Sequence, residues 1–353
     1  MIDTVFVQRS SRPSCGTQYR FTEKRNHHNA KVPSHRPAPA YLRESRLEGW
    51  GPPRMLRRRI NRAACRLRAK VARLLHPTLY TWGDLDVAFI VSTGRTGTQK
   101  LASIISEACE RVDARHEPFP DLFDLGTDYA RGRIPMGRAL GDFRAARDRI
   151  CREVHTAGCD YYIESNNNLG LIIPLIKGSF QERRIIHVVR DGRDFVRSAY
   201  SKTVPSASRP GAEALVLSDE DPRRRLQAPD FADDPYRSRW PRMSRFERLC
   251  WLWVKLDGMI YRAIADDPRA VTVKFEDIFD EGSGYKGLWD IFEFLGLRSR
   301  MTVAPDRVHE LMSVKENQTQ RHLIPRWPEW TAEQTEQFKR IAGEHMDTHG
   351  YEI

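Results

Sequence analysis

Residues 87–101, VAFIVSTGRTGTQKL, constrain the chain more than any other stretch. Five apolar or small residues, Val87 to Val91, run into Ser92-Thr93-Gly94-Arg95-Thr96-Gly97-Thr98, and a helical pattern follows. A short continuous apolar run bounded by glycine reads as a buried parallel strand. Gly94 and Gly97 let the backbone approach an anion closely. The helix start behind them presents N–H groups and a positive dipole end, and Arg95 adds a cation with a planar donor fork. Gly97 is followed by Thr98 and Gln99, so the lysine and hydroxyl of a Walker A loop are not in place. The loop reads as built for a phosphate rather than for hydrolysis of a nucleoside triphosphate. The alternative is a plain tight strand–helix turn.

A second segment supplies a partner for the first. Arg184 to Val189 is another buried-strand run, and it ends in Arg190-Asp191-Gly192-Arg193-Asp194-Phe195-Val196-Arg197-Ser198. Arg190 then stands at the carboxyl end of a strand, the edge at which open α/β sheets bind ligands. Ser198, one to two turns into the next helix, completes a second anion cradle. Asp191, Arg193 and Asp194 read as the capped, charged start of that helix, since acidic first turns suit the dipole.

These segments resemble the sulfotransferase family, whose members bind 3′-phosphoadenosine-5′-phosphosulfate through a 5′-phosphosulfate loop and a 3′-phosphate motif. Arg95-Thr96-Gly97-Thr98 match the family's first pattern. Arg190, Asp191, Asp194 and Ser198 match the second, and the late strand ending in Glu276-Asp277 matches a third feature. The resemblance spans residues 85–351 and points to the bacterial or carbohydrate-type branch. It implies a P-loop-like three-layer α/β/α fold with a central parallel sheet of about five strands. It also implies transfer of a sulfuryl group to an acceptor hydroxyl. Arg95, Thr96, Gly97, Thr98, Gln99, Arg190 and Ser198 would bind the donor, with Arg95 stabilising charge on the leaving phosphate. No metal is expected: the Walker hydroxyl is missing and the chain shows no His/Asp/Cys cluster.

Such a transfer needs a base within hydrogen-bond reach of the acceptor. Arg111 to Phe119 reads as a second strand whose carboxyl end carries His116 and Glu117, with Pro118 keeping Glu117 out of helical geometry. The resemblance makes Glu117 the general base and His116 its alternative; a merely structural turn is the third reading. Residues 120–158 read as a polar connection plus one helix from about Gly137 to Thr156. Glu164, Ser165 and Asn166 end the next strand and are candidate substrate contacts, although Asn-rich turns also form for local reasons. Phe246 to Ala265 reads as a core helix, and Cys109 and Cys250 as core thiols.

The net charge of +11 belongs to one end. Residues 1–80 carry 18 Lys/Arg against 4 Asp/Glu, and the remainder 40 against 43. Residues 1–52 have the composition of a disordered basic tail. Residues 53–77 form a basic amphipathic pattern, stopped by Pro77, that docks on the domain or lies on an anionic membrane surface. Residues 84–353 form the sulfotransferase-like domain, with a Pro-rich insertion at 204–243 as a candidate lid. No nucleic-acid motif accompanies the basic helix, so no nucleic-acid partner is expected. No apolar run is long enough for a membrane span or a signal peptide, and the six cysteines form no CxxC pair. These features suggest reduced thiols and a cytoplasmic protein, peripheral to membrane if the helix binds lipid. Two rival functions stand beside the transferase: a P-loop nucleotide kinase or NTPase, and a non-catalytic nucleotide-binding module recruited to membranes. Carbohydrate, glycolipid and small-molecule acceptors fit the sequence equally.

Overall fold

A computed structural model describes residues 85–201, 225–314 and 322–353. The basic tail, the amphipathic helix and residues 204–224 of the insertion lie outside the described residues.

Five strands form one sheet in the order β2-β3-β1-β4-β5, and every pair is parallel. They are β1 (Asp86–Ser92), β2 (Val112–His116), β3 (Tyr161–Ser165), β4 (Arg183–Val189) and β5 (Ala270–Lys274). The apolar run of β1 lies at the sheet centre because both its faces are covered. Val87, Phe89 and Val91 join one core cluster, while Ala88 and Ile90 join the other. This alternation follows the two-residue period of a strand.

Helices close both faces, giving the three-layer α/β/α arrangement expected from the sequence. On one side pack α1 (Thr98–Ala108), α8 (Lys286–Phe294) and α9 (Pro305–Ser313). On the other pack α3 (Met136–Thr156), α4 (Ile173–Ser179), α5 (Gly192–Tyr200), α6 (Arg245–Ile264) and α10 (Ala332–Thr348). Two short helices, α2 (Phe123–Ala130) and α7 (Phe275–Phe279), complete the set of α-helices in the described residues. No helix among these residues is long and apolar enough to cross a membrane.

From β1 the chain steps outward to β2, returns to β3 beside β1, and then crosses to β4 and β5. The carboxyl ends of β1 and β4 therefore flank a switch point, where open α/β sheets have their binding crevice.

One expectation is corrected. The stretch from 120 to 158 holds two helices, because α2 buries Phe123, Gly126 and Thr127 despite its polar composition. After β3 the chain makes a 3-10 turn at Asn167–Leu171 and enters α4, with Pro174 in its first turn. Residues 225–243 of the insertion pack on the domain: Leu226, Ala228, Trp240 and Met243 are buried in the core, and Asp234 accepts from Trp251 Nε1 at 3.1 Å.

Candidate anion-binding site

The β1–α1 turn owes its shape to three departures from ordinary backbone within four residues. Gly94, Arg95 and Gly97 have φ of 88°, 60° and 65°. Glycine adopts this region freely, whereas for Arg95 it costs on the order of 1–3 kcal/mol and persists only under outside constraint. Ser92 braces the turn from within: its Oγ accepts from Gly94 N at 3.1 Å and Thr96 Oγ1 at 2.8 Å. Phe279 closes over Gly97, where a Cβ would lie 2.6 Å from the ring. Helix α1 starts at Gly97 with no side-chain cap and no acidic residue in its first turn. Its first N–H groups are therefore presented to an anion. Thr96 and Thr98 are buried, Gln99 is exposed, and Lys100 lies buried against the domain.

The second turn locks onto the first. Arg95 Nε donates to Ser198 Oγ at 3.0 Å, and Arg190 Nη1 donates to the Arg95 carbonyl at 2.6 Å. The Arg190 guanidinium lies over the Phe275 ring at 4.4 Å, and Phe275 stacks with Phe279 at 4.7 Å. Arg190 Nε and Arg197 Nε are buried with no hydrogen-bond partner among the described residues. Buried donors are normally satisfied, so these fit a site that takes an anion. Asp191 has the helix-capping role read from sequence: its Oδ1 accepts from Arg193 N at 2.8 Å, and it pairs with the Arg193 guanidinium.

His116 and Glu117 end β2 on the same edge of the sheet. Glu117 has φ of 42°, so Pro118 leaves it in the left-handed region rather than extended. Its N–H donates to Ser165 O at 2.8 Å. Ser165 Oγ donates its one hydrogen to Thr98 O at 2.9 Å, so it accepts from His116 Nδ1 at 3.0 Å. The neutral ring therefore carries its proton on Nδ1 and its lone pair on Nε2. Arg225, at the start of the second described segment, is half-buried. Burial lowers its pKa, and the charge on Glu117 opposes that shift.

Glu164, Ser165 and Asn166, the candidate substrate contacts, come to the same edge of the sheet and are fully buried. Glu164 takes Arg147 Nε and Nη2 at 2.6 Å each, Tyr162 Oη at 2.8 Å and Asn166 Nδ2 at 3.1 Å. Asn166 Nδ2 and Asn168 Nδ2 also donate to Asp121 O, and Arg147 Nη1 donates to Pro120 O. Together they hold the 117–122 loop that carries Glu117. Sequence reasoning missed Arg147, which sits in a charged helix, and the Phe275/Phe279 pair. The i, i+4 spacing of those two phenylalanines straight after a strand was the only available signal.

The absence of a His/Asp/Cys cluster is also overturned. Asp257 of α6 meets His187 of β4, His345 of α10 and His349 just beyond it. Asp257 lies 70 to 92 positions from the three histidines, and the i, i+4 spacing of His345 and His349 was the one local signal.

Two interlocked turns at the switch point of an all-parallel α/β sheet form a candidate anion site. No family model and no curated protein matches the chain. Among solved structures it is similar to the sulfotransferase domain from the curacin biosynthetic pathway. That likeness has 12% identity and a TM-score of 0.42, over 76% of this chain and 99% of that one. The sulfotransferase domain from the Synechococcus PCC 7002 olefin synthase is similar at 13% identity and a TM-score of 0.37, over 76% and 96%. Sulfotransferase STF1 from Mycobacterium tuberculosis H37Rv is similar at 12% identity and a TM-score of 0.40, over 81% and 85%. The site's own geometry carries the functional reading.

Proposed function

We propose that the chain transfers a sulfuryl group from 3′-phosphoadenosine-5′-phosphosulfate to an acceptor hydroxyl. The observation that carries this reading is the direct contact of the two turns, Arg95 Nε on Ser198 Oγ and Arg190 on the Arg95 carbonyl. Two anion cradles this close suit one nucleoside with phosphates at both ends. They give no reason for a Mg²⁺-bound triphosphate, whose lysine and hydroxyl the loop lacks.

Each group then has a part. The N–H groups of Gly97 and Thr98, with Arg95, neutralise charge developing on the departing 5′-phosphate. Arg190 and Ser198 anchor the 3′-phosphate and so align sulfur with the nucleophile. Phe275 and Phe279 offer the aromatic surface for adenine. The acceptor oxygen bonds to sulfur, the bond from sulfur to the 5′-phosphate oxygen breaks, and adenosine 3′,5′-bisphosphate leaves. The hydroxyl proton passes to Glu117. His116 is the second candidate base, favoured by the Ser165 contact that places the ring lone pair on Nε2.

Melting-temperature measurements test the donor assignment. Adenosine 3′,5′-bisphosphate is expected to raise Tm without added Mg²⁺, and ATP or GTP with Mg²⁺ to raise it less. The reverse order would establish the nucleotide-kinase reading instead. Glu117→Gln is expected to keep bisphosphate affinity and lose turnover by about 10²–10⁴-fold, the usual scale for a general base. Retained turnover in Glu117→Gln together with its loss in His116→Ala would move the base to the imidazole. Arg190→Ala is expected to weaken bisphosphate binding by about 10–100-fold, the scale of a lost charge-assisted contact of about 1.5–3 kcal/mol.

A further inference from the structure

Three histidines converge on one buried carboxylate, that of Asp257. Asp257 is fully buried at mid-helix in α6. His345 and His349 stand four residues apart, so they share one face of the helical turn. Each directs Nε2 at the same oxygen, Asp257 Oδ2, at 2.7 and 2.6 Å. His187 of β4 approaches the other oxygen, Oδ1, with Nε2 at 2.9 Å.

We propose that Asp257, His345 and His349 bind one divalent transition-metal ion of the zinc class. The one-atom ligands of these three residues all lie within 4.8 Å of one another. Two imidazole nitrogens and a carboxylate oxygen match zinc's ligand preference and leave a fourth position for water. Tetrahedral zinc with bonds of about 2.0–2.1 Å spaces its ligand atoms about 3.3 Å apart. The rings therefore need to withdraw from Oδ2 by little more than half an ångström. Binding uses the Nε2 lone pair of each ring, so with the ion in place the ring proton sits on Nδ1.

The surroundings suit such a site. His187 holds Oδ1 and so orients Oδ2 toward the ion, as outer hydrogen bonds do for ligating carboxylates. The Trp253 ring packs edge-on against His345 at 5.1 Å, and Tyr261 against His349 at 5.4 Å. The side chain of His345 is 13% exposed, against 4% for His349, which gives an entry path on the His345 side. An ion there ties α10 to α6 and, through His187, to β4. The role is structural: it braces the strand that ends at Arg190 and is independent of the reaction assigned to the anion site.

The full chain, purified without a histidine tag and stripped with EDTA, tests the site. Equilibrium dialysis with ZnCl₂ is expected to load one Zn²⁺ per chain in competition with a chelating dye. Tm is expected to rise with zinc and to return on EDTA addition. Co²⁺ in place of zinc is expected to give the intense visible absorption of a tetrahedral site. His345→Gln and His349→Gln are each expected to lose the bound equivalent and the cobalt spectrum. His187→Gln is expected to weaken binding by about 10–100-fold, as for other outer-sphere partners. A stripped wild-type chain that takes up no zinc and shows no Tm change overturns the proposal. So does zinc retained in both His345→Gln and His349→Gln, which would place the ion elsewhere. The wild-type stoichiometry and cobalt spectrum decide the question even if a variant fails to fold.

Discussion

Arg147 and Glu164 are both fully buried, and each is meaningful only through the other. Burial by itself lowers the Arg147 pKa, but the Glu164 charge and hydrogen bonds outweigh it and the guanidinium is held charged. Burial, the adjacent Glu164 charge and the hydrogen bond to it raise Tyr162 well above its usual value, so its hydroxyl stays a donor. Removing one member of a buried pair strands the other charge. Arg147→Ala is therefore expected to cost about 3–5 kcal/mol in chemical denaturation. Because Arg147 also holds Pro120 O, the same variant is expected to lose turnover beyond what lower stability explains, measured well below its melting temperature. Nothing in the sequence announces this pair. Arg147 sits in a helix rich in exposed arginines, and which one turns inward depends on a glutamate of β3, the next element. Arg95, Arg190 and Ser198 were legible, because their turn chemistry is local and their spacing unusual.

At the scale of elements, glycines separate positions that close packing demands from positions that merely lack a side chain. Gly192 opens α5 beneath Trp253, and a Cβ there would lie 2.8 Å from the indole. That ring is fully buried and has no room to yield. Gly192→Ala is expected to destabilise the protein by about 1–3 kcal/mol, the range for overpacking a core. Gly141 lies within α3 with nothing within 4 Å of its missing Cβ. Gly141→Ala is expected to stabilise by about 0.5–1 kcal/mol, since alanine removes the entropy penalty of a helical glycine. Paired thermal melts of the two variants check both signs. The strands and the long helices α3, α6 and α10 were readable from period and capping. Helix α2 was not, because its eight residues mix polar and apolar positions and are held by burial against the 3-10 turn at Asn167–Leu171.

At the scale of the whole molecule, distant segments meet at the carboxyl edge of the sheet. Tyr351, beyond α10, donates its hydroxyl to Glu276 Oε2 at 2.8 Å, while Glu276 Oε1 accepts from Asp191 N at 3.1 Å. Glu276 thus buttresses the start of α5, the helix that bears Ser198. Burial, then the Glu276 charge and hydrogen bond, push the Tyr351 hydroxyl far above its usual pKa, so it remains a donor. Tyr351→Phe is expected to cost about 1–2 kcal/mol, one buried hydrogen bond with its acceptor left short. It is also expected to weaken adenosine 3′,5′-bisphosphate binding several-fold by calorimetry. Unchanged binding in a destabilised Tyr351→Phe would confine the contact to stability.

The sequence by itself determined the parallel α/β class, the buried central strand, the two glycine- and arginine-marked turns and the acidic residue ending β2. Each is written in a few neighbouring residues, where backbone sterics and side-chain period act directly. Only the tertiary structure decided that the two turns interlock and that Glu164 and Asn166 join Arg147 in holding the 117–122 loop. The same is true of the three histidines that converge on Asp257. Those outcomes depend on strand order and on which face of a helix is covered. Both are set by the competition among all elements for one core, not by any single stretch of chain.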